Sequence, residues 1–413
     1  MQTNVVYCGR DAIDRFVAYC QAQGLERFLV VSDANTHAVL GRAAEARLRA
    51  RGWTVESAIL REEPVLADEQ SVFAVLQQAA GRDLTYVAAG SGTITDITRY
   101  ASSCARTPFV SLPTAPSMDG YASGGAALTI RGFKLTVPCH APVAVFADLP
   151  VLCAAPQEMI GAGFGDMVGK YIALADWKLG ALLAGESYSA AIAQRTEQAL
   201  RRCVQQAAAI GQAEEAGITR LTEGLLDSGL CMQEQGSSRP ASGFEHQLSH
   251  FWEMTLQHRT RRPLLHGAKV GVATALAAQL YQTVRGLSHE EAIKRLASVS
   301  LPSSDDEIAQ IRAAYGSAAA PIIASYLPYH KTIAAARPAL VQKVGEVWPQ
   351  IQDIAAGVPS PHEIETLLRL ARAPVTPAAL ALGKRPGRLA LANAHYLRNR
   401  ITIDTLGRLL CLW

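Results

Sequence analysis

Leu84-Thr85-Tyr86-Val87-Ala88-Ala89-Gly90-Ser91-Gly92-Thr93-Ile94-Thr95-Asp96 is the stretch whose reading decides the fold. An apolar, strand-forming run enters a turn with two glycines and leaves it in a helical stretch, Ile94 to Ser103. The same step recurs on either side. Towards the N-terminus, Arg27 to Asp33 reads as a buried strand and Trp53 to Leu60 as an alternating one, with helical stretches at Thr36 to Ala50 and Ala67 to Ala80. Towards the C-terminus, Pro108 to Leu112 and Val143 to Ala147 add strands, and Ala126 to Val137 reads as a hairpin turning at Arg131-Gly132. Strand–helix alternation of this kind predicts a parallel sheet wrapped by helices.

In such a sheet the loops at the carboxyl ends of the strands line the ligand crevice. Glycines in the Gly90–Gly92 turn let backbone amides approach a phosphate, and the helix that follows favours an anion at its start. Thr93 is placed to cap that helix. The turn is not the G-x-G-x-x-G fingerprint, and on residues alone a plain structural turn fits as well. Pro113-Thr114-Ala115-Pro116-Ser117-Met118-Asp119-Gly120-Tyr121-Ala122-Ser123 gathers hydroxyls, a carboxylate and glycine after the next strand, either as a ligand loop or as a self-capping turn. Asp33 closes the strand before these. An acidic residue there bonds ribose hydroxyls and repels a 2′-phosphate, which favours NAD over NADP; it serves equally as a helix cap.

The character changes between Pro150 and Pro156. From Glu158 onward the chain reads as helical, with breaks expected at Pro240, Pro263, Pro302, Pro321, Pro328 and Pro374. Ser360-Pro361-His362-Glu363 carries the marks of a helix start: Ser360 as cap, Pro361 as first helical residue, Glu363 as reciprocal partner. The expected architecture is α/β: a Rossmann-like parallel-sheet domain over 1–156, then an all-α domain over 157–413, with the active site in the cleft between them.

Four of the ten histidines, His246, His250, His258 and His266, fall within 21 residues. His246 and His250 stand four apart, so on a helix both imidazoles share one face. Two imidazoles and a distant carboxylate can hold a divalent metal with a coordination position left open. Asp166, in Gly163-Phe164-Gly165-Asp166-Met167, offers a carboxylate whose burial is costly unless it is paired or metal-bound; a helix N-cap is its other reading. Lys134, Arg239 and His258 are expected to be solvated.

Net charge is +3, from 39 basic and 36 acidic residues, too small to indicate a nucleic-acid partner. No run reaches the length of a bilayer-crossing segment and no secretory leader is visible, so a cytoplasmic protein is expected. Eight cysteines without a C-x-x-C pair read as reduced, partly buried residues.

Taken together, Gly90–Asp96, Thr114–Ser123, Gly161–Lys178, Ser238–Gly243, Glu245–His250 and Leu265–Gly271 resemble the metal-dependent polyol dehydrogenase and dehydroquinate synthase superfamily, and within it the bacterial glycerol-1-phosphate dehydrogenases. The resemblance spans residues 85 to 275. It implies Asp166, His246 and His266 as metal ligands, with Asp119 and His250 facing the substrate. Gly90, Ser91, Gly92, Thr93, Asp96, Thr114, Ser117 and Ser123 would bind the dinucleotide. Ser91 departs from the wider pattern, where many relatives carry a third glycine. The implied activity is hydride transfer between NAD(H), or NADP(H), and the dihydroxyacetone phosphate/sn-glycerol 1-phosphate pair, with nickel or zinc, in a homodimer. Three alternatives stand beside it: a dehydrogenase of unphosphorylated polyols, a cyclase like dehydroquinate synthase, and a catalytically silent dinucleotide-binding protein.

Overall fold

The computed structural model of the chain describes residues 1–131, 133–256, 264–300, 302–382 and 385–412. Its strands are β1 (Val5–Gly9), β2 (Arg27–Asp33), β3 (Thr54–Leu60), β4 (Thr85–Gly90), β5 (Phe109–Pro113), β6 (Gly125–Ile130), β7 (Phe133–Pro138) and β8 (Ala144–Asp148). The helices of the first half are α1 (Ala12–Ala22), α2 (Ala34–Thr36), α3 (Arg42–Arg49), α4 (Glu69–Ala79), α5 (Gly92–Ala105), α6 (Leu149–Cys153), α7 (Gln157–Val168), α8 (Lys170–Ala184), α9 (Ala190–Val204) and α10 (Ala207–Gly211). Those of the second are α11 (Glu215–Gln235), α12 (Phe244–Leu256), α13 (His266–Arg285), α14 (His289–Ser298), α15 (Ser304–Tyr315), α16 (Ala319–Glu346), α17 (Trp348–Ala356), α18 (Pro361–Leu370), α19 (Arg385–Asn393) and α20 (Ile403–Leu409).

Six strands form one parallel sheet in the order β1-β8-β5-β4-β2-β3, and β6 pairs with β7 as the expected antiparallel hairpin. The period of two along each strand explains why the sheet is covered on both faces. In β2, Leu29 and Val31 pack with α4 and α5, while Phe28 and Val30 pack with α1 and α3. In β4, Tyr86 and Ala88 join the first cluster and Val87 and Ala89 the second. The adjacent strands β2 and β4 therefore send their following helices, α3 and α5, to opposite faces. That is a topological switch point, where a crevice opens at the carboxyl ends of the strands. Asp33 and Gly90 stand at that edge, each two residues beyond the Val31–Ala88 pair.

Compact packing divides the chain into two units that do not correspond to one cut. The first comprises 1–167, 198–237 and 370–373; the second comprises 168–197, 238–369 and 374–413. The boundary expected at 156/157 falls inside the first unit, between α6 and α7. The second unit is wholly helical among its described residues.

Several local expectations differ from the structure. The helix expected over Thr36 to Ala50 is interrupted by one wider turn at His37–Gly41. Thr93 lies inside α5, whose cap is Ser91. Asp166 lies inside α7 and not at its cap, because that helix starts as early as Gln157. The first strand and first helix, β1 and α1, carry no signal that the sequence reading used. Breaks expected at Pro321 and Pro328 do not occur, for α16 runs through both and through Pro338. Pro321 sits in the first turn, where no N–H is needed. At Pro328 and Pro338 the helix gives up a backbone bond and continues regardless. The Ser360–Glu363 box forms as read: the Glu363 N–H donates to Ser360 Oγ at 3.3 Å, and the Ser360 N–H donates to Glu363 Oε2 at 2.7 Å. Among the described residues no helix is long and apolar enough to cross a membrane. His258, the Arg259–Arg262 run and Pro263 lie outside the described residues.

The loop after β5 is gripped by glycine-faced helices. A Cβ at Gly163 of α7 would stand 1.7 Å from the Pro116 carbonyl oxygen, and one at Gly229 of α11 would stand 2.6 Å from that of Asp119. Neither backbone oxygen can swing aside as a flexible side chain would. Gly163→Ala is expected to destabilise the protein by about 1–3 kcal/mol through overpacking, read as a lower midpoint in denaturant unfolding. An unchanged midpoint would show that this contact is not tight.

Candidate functional site

The carboxyl edge of the sheet aligns three expected segments. Gly90 pairs with Pro113, and the Thr114 N–H donates to the Gly90 carbonyl at 3.2 Å, so the glycine turn and the Thr114–Ser123 loop run side by side. Met118 covers the turn: a Cβ at Gly92 would lie 2.6 Å from its sulfur, so a larger residue there would have to displace the methionine side chain. Helices α4 and α6 are capped by the side chains of Asp68 and Asp148, whereas Ser91 makes no side-chain cap bond to α5. The first-turn amides of α5 thus keep the anion-binding character of a helix start.

Other expected dinucleotide residues have structural partners. Asp33 caps α2, with its Oδ1 accepting from the Thr36 N–H at 2.8 Å, which is the helix-cap reading of that residue. Asp96 accepts from the fully buried Arg99 at 2.6 Å, and Arg99 in turn donates to the carbonyls of Gly120, Tyr121 and Gly125. The ion pair fixes the end of the Thr114–Ser123 loop. Burial pushes the Asp96 carboxyl up, and Arg99 opposes that shift. Ser117 Oγ lies 3.0 Å from the Tyr121 hydroxyl, and Ser123 Oγ donates to the Gly120 carbonyl at 3.1 Å.

Asp166, fully buried on α7, accepts the Asp119 N–H at 3.0 Å; the Asp119 carboxylate accepts from Ser228 at 2.8 Å. On α12 and α13, His246, His250 and His266 form a triangle of rings with centroid separations of 5.2, 5.8 and 6.3 Å. One ligand atom from each of Asp166, His246 and His266 lies within 4.8 Å of the other two. Among the described residues this is the one group of three or more histidine, cysteine or carboxylate residues gathered so closely.

Residues to which the sequence reading gave no role at the site surround the histidines. Glu245, fully buried, lies 2.6 Å from His246 Nδ1 and also accepts the Gly243 N–H at 2.8 Å. The Glu245 contact engages Nδ1 of the His246 ring and so fixes its orientation. Asp176 accepts from the Phe244 N–H, the Ile403 N–H and the Tyr281 hydroxyl, all at 2.7 Å, tying the start of α12 to α13 and α20. Burial pushes the Asp176 carboxyl up to about 7, with the Glu245 charge adding to the shift. Gly243 lies between the two: a Cβ there would be 2.6 Å from Asp176 Oδ2 and 2.8 Å from Glu245 Oε2. His250 Nδ1 lies 3.3 Å from Glu253, which also faces Lys269 at 3.5 Å. Arg239, expected in solvent, is buried and paired with Glu186, and it donates to the Ile401 carbonyl at 3.2 Å. Only Glu245, adjacent to His246, had a local signal; Asp176 and Arg239 find their partners across the fold.

Comparison with known proteins places the chain in a class. Residues 7–156 match the family model described as iron-containing alcohol dehydrogenase. Solved structures sharing the fold include the NADH-dependent butanol dehydrogenase A of Thermotoga maritima (12% identity, TM-score 0.64, covering 100% of this chain and 97% of that one). The maleylacetate reductase of Agrobacterium tumefaciens is another (17%, TM-score 0.60, covering 99% and 95%). In sequence the chain is 38% identical over 401 residues to the glycerol-1-phosphate dehydrogenase [NAD(P)+] of Geobacillus stearothermophilus, covering 96% of this chain and 90% of the relative. It is 44% identical over 280 residues to that of Bacillus subtilis, covering 67% and 71%. The chain belongs to the glycerol-1-phosphate dehydrogenase family.

Burial pushes the His250 imidazole down to about 3; the Glu253 contact opposes the shift, and the charges of Arg398 and His266 add to it. In the unfolded chain the same group titrates near 6.5. The unfolded state therefore takes up a proton that the folded state refuses, and stability is lost as pH falls from about 6.5 towards 3, by at most about 1.4 kcal/mol per pH unit for this one group. In chelator-treated protein, His250→Gln is expected to flatten the fall in unfolding free energy between pH 6.5 and 4. A slope that the substitution leaves unchanged would contradict this burial.

Proposed function

We propose that the protein interconverts dihydroxyacetone phosphate and sn-glycerol 1-phosphate with a nicotinamide dinucleotide and one divalent metal ion, nickel or zinc. The observation that carries this reading is the convergence of Asp166, His246 and His266, two imidazoles and a carboxylate, in a family whose curated members carry that activity in their names. The donor set fits a borderline divalent cation and does not separate nickel from zinc. Glu245 supports the fit: a carboxylate on the far nitrogen of a ligand histidine fixes its tautomer and raises its basicity. When bound, the metal would supply Lewis acidity at the substrate oxygen and the dinucleotide would supply or accept the hydride.

The chain's own residues do the rest. The start of α5 and the Thr114–Ser123 loop would hold the dinucleotide at the switch point, and Asp33, whose Oδ1 caps α2, would meet the ribose through its other carboxylate oxygen, favouring NAD. The Asp119 backbone holds the Asp166 carboxylate in orientation, and its side chain would stand on the substrate side. His250 stays neutral at physiological pH. With Nδ1–H directed at Glu253, its Nε2 can accept a hydrogen bond from the substrate hydroxyl and orient it. A cytoplasmic homodimer completes the proposal.

The direct test follows NADH and NADPH oxidation with dihydroxyacetone phosphate in the presence of nickel or zinc. Turnover with either metal supports the reading; a folded sample inactive with both overturns it. His246→Ala and His266→Ala are each expected to lose bound metal and activity while dinucleotide binding persists. Glu245→Gln is expected to weaken metal binding about 10- to 100-fold, measured by competition with a chromophoric chelator. Stoichiometric metal in either histidine variant would show the ligand set to be wrong.

A further inference from the structure

We propose that Lys269 is a positioning residue for His250 and acts on it through Glu253, whose two carboxylate oxygens face one partner each. The proposal rests on the substrate-side role given to His250 above and adds the lysine that serves it.

The three side chains lie on one seam between α12 and α13. On α12, His246, His250 and Glu253 follow each other at helical spacing and share a stripe; on α13, His266 and Lys269 share another. Where the stripes meet, the His266 ring lies 5.2 Å from that of His246 and 5.8 Å from that of His250, between centroids. One turn further along, Glu253 stands opposite Lys269. Its Oε1 lies 3.5 Å from Lys269 Nζ, and its Oε2 lies 3.3 Å from His250 Nδ1. The Lys269 side chain is 2% exposed and that of Glu253 13%, so water screens this pair little.

Packing alone does not call for a lysine here. Its neighbours on α13, Ala268, Val270, Gly271, Val272 and Ala273, are nonpolar and buried. An ammonium withdrawn from water is costly unless an anion meets it. Glu253 is that anion, and the contact holds the carboxylate in turn. An ionised carboxylate only accepts hydrogen bonds. The neutral His250 ring beside it therefore keeps its single hydrogen on Nδ1 and leaves Nε2 as an acceptor. Without the ammonium, Glu253 loses both the charge that favours its ionised form and the contact that fixes its rotamer. A neutral or turned carboxyl no longer selects Nδ1–H. The other tautomer presents an N–H where the substrate hydroxyl needs an acceptor.

The test compares wild type with Lys269→Met, which keeps the aliphatic stem and removes the charge, with Glu253→Gln and with the double variant, all as full-length enzyme loaded with metal. In Lys269→Met, kcat for oxidation of sn-glycerol 1-phosphate is expected to fall about 10- to 100-fold, with KM changed much less. Because Lys269 acts through Glu253, adding Lys269→Met to Glu253→Gln is expected to cost no further kcat. Losses that multiply would overturn the route through Glu253. This comparison also holds where Lys269→Met alone does not fold, since the double variant strands neither charge. A second readout separates positioning from stability: nuclear magnetic resonance of isotope-labelled histidine nitrogens in zinc-loaded protein, with the His250 signal assigned by its loss in His250→Gln. Wild type is expected to show the hydrogen on Nδ1, and Lys269→Met to lose that preference. If Lys269→Met leaves both kcat and the His250 tautomer unchanged, the role of Lys269 is overturned while the function stands. If wild type does not oxidise sn-glycerol 1-phosphate, the functional reading falls, and the tautomer alone decides whether Lys269 positions His250.

Discussion

Burying a carboxylate costs several kcal/mol unless donors or a cation meet its oxygens, and this protein leaves no exposure at all on Asp166, Asp176 and Glu245. Much of the site's local structure follows from how those charges are met. Asp176 takes two backbone amides and a phenol, which fixes where α12 begins. Glu245 takes an amide and an imidazole, which fixes how His246 is turned. Gly243 is the residue that lets the two carboxylates approach the same stretch of backbone. Asp166 takes the Asp119 amide, which ties it to the loop that crosses the glycine turn. The positions of these acids, more than those of the histidines themselves, define the geometry available to a cation.

The sheet obeys a different constraint with a related outcome. Period-two alternation in β2 and β4 divides their side chains between two cores, so helices must cover both faces. Because the connections from adjacent strands then depart to opposite faces, an opening at the strand ends follows from topology alone. Polar residues collect at that edge. Some of them, Asp96 with Arg99 and Ser123 with Gly120, shape the loop, while the start of α5 carries no side-chain cap.

Much of this was legible in the sequence because the signals are local. Strand alternation, the glycine turn and the Ser360–Glu363 box each lie within a few residues and act through backbone geometry. What failed were inferences from single residues without their surroundings. Pro321 and Pro328 read as breaks, yet a helix can carry a proline in its first turn at no cost and in its interior at the loss of one bond. Arg239 read as solvated because its partner Glu186 is 53 residues away. The resemblance to a known family supplied roles for the histidines and Asp166, but not the reason for Glu245, Asp176 or Gly243, which only the packing shows.

The central claim is that one cation joins Asp166, His246 and His266. Crystals grown with nickel, measured on both sides of its absorption edge, address it most directly. The account predicts one anomalous peak about 2.0–2.2 Å from an Asp166 carboxylate oxygen, from His246 Nε2 and from a ring nitrogen of His266. A peak held by other residues, or one contacting His246 through Nδ1 with Glu245 displaced, would contradict it.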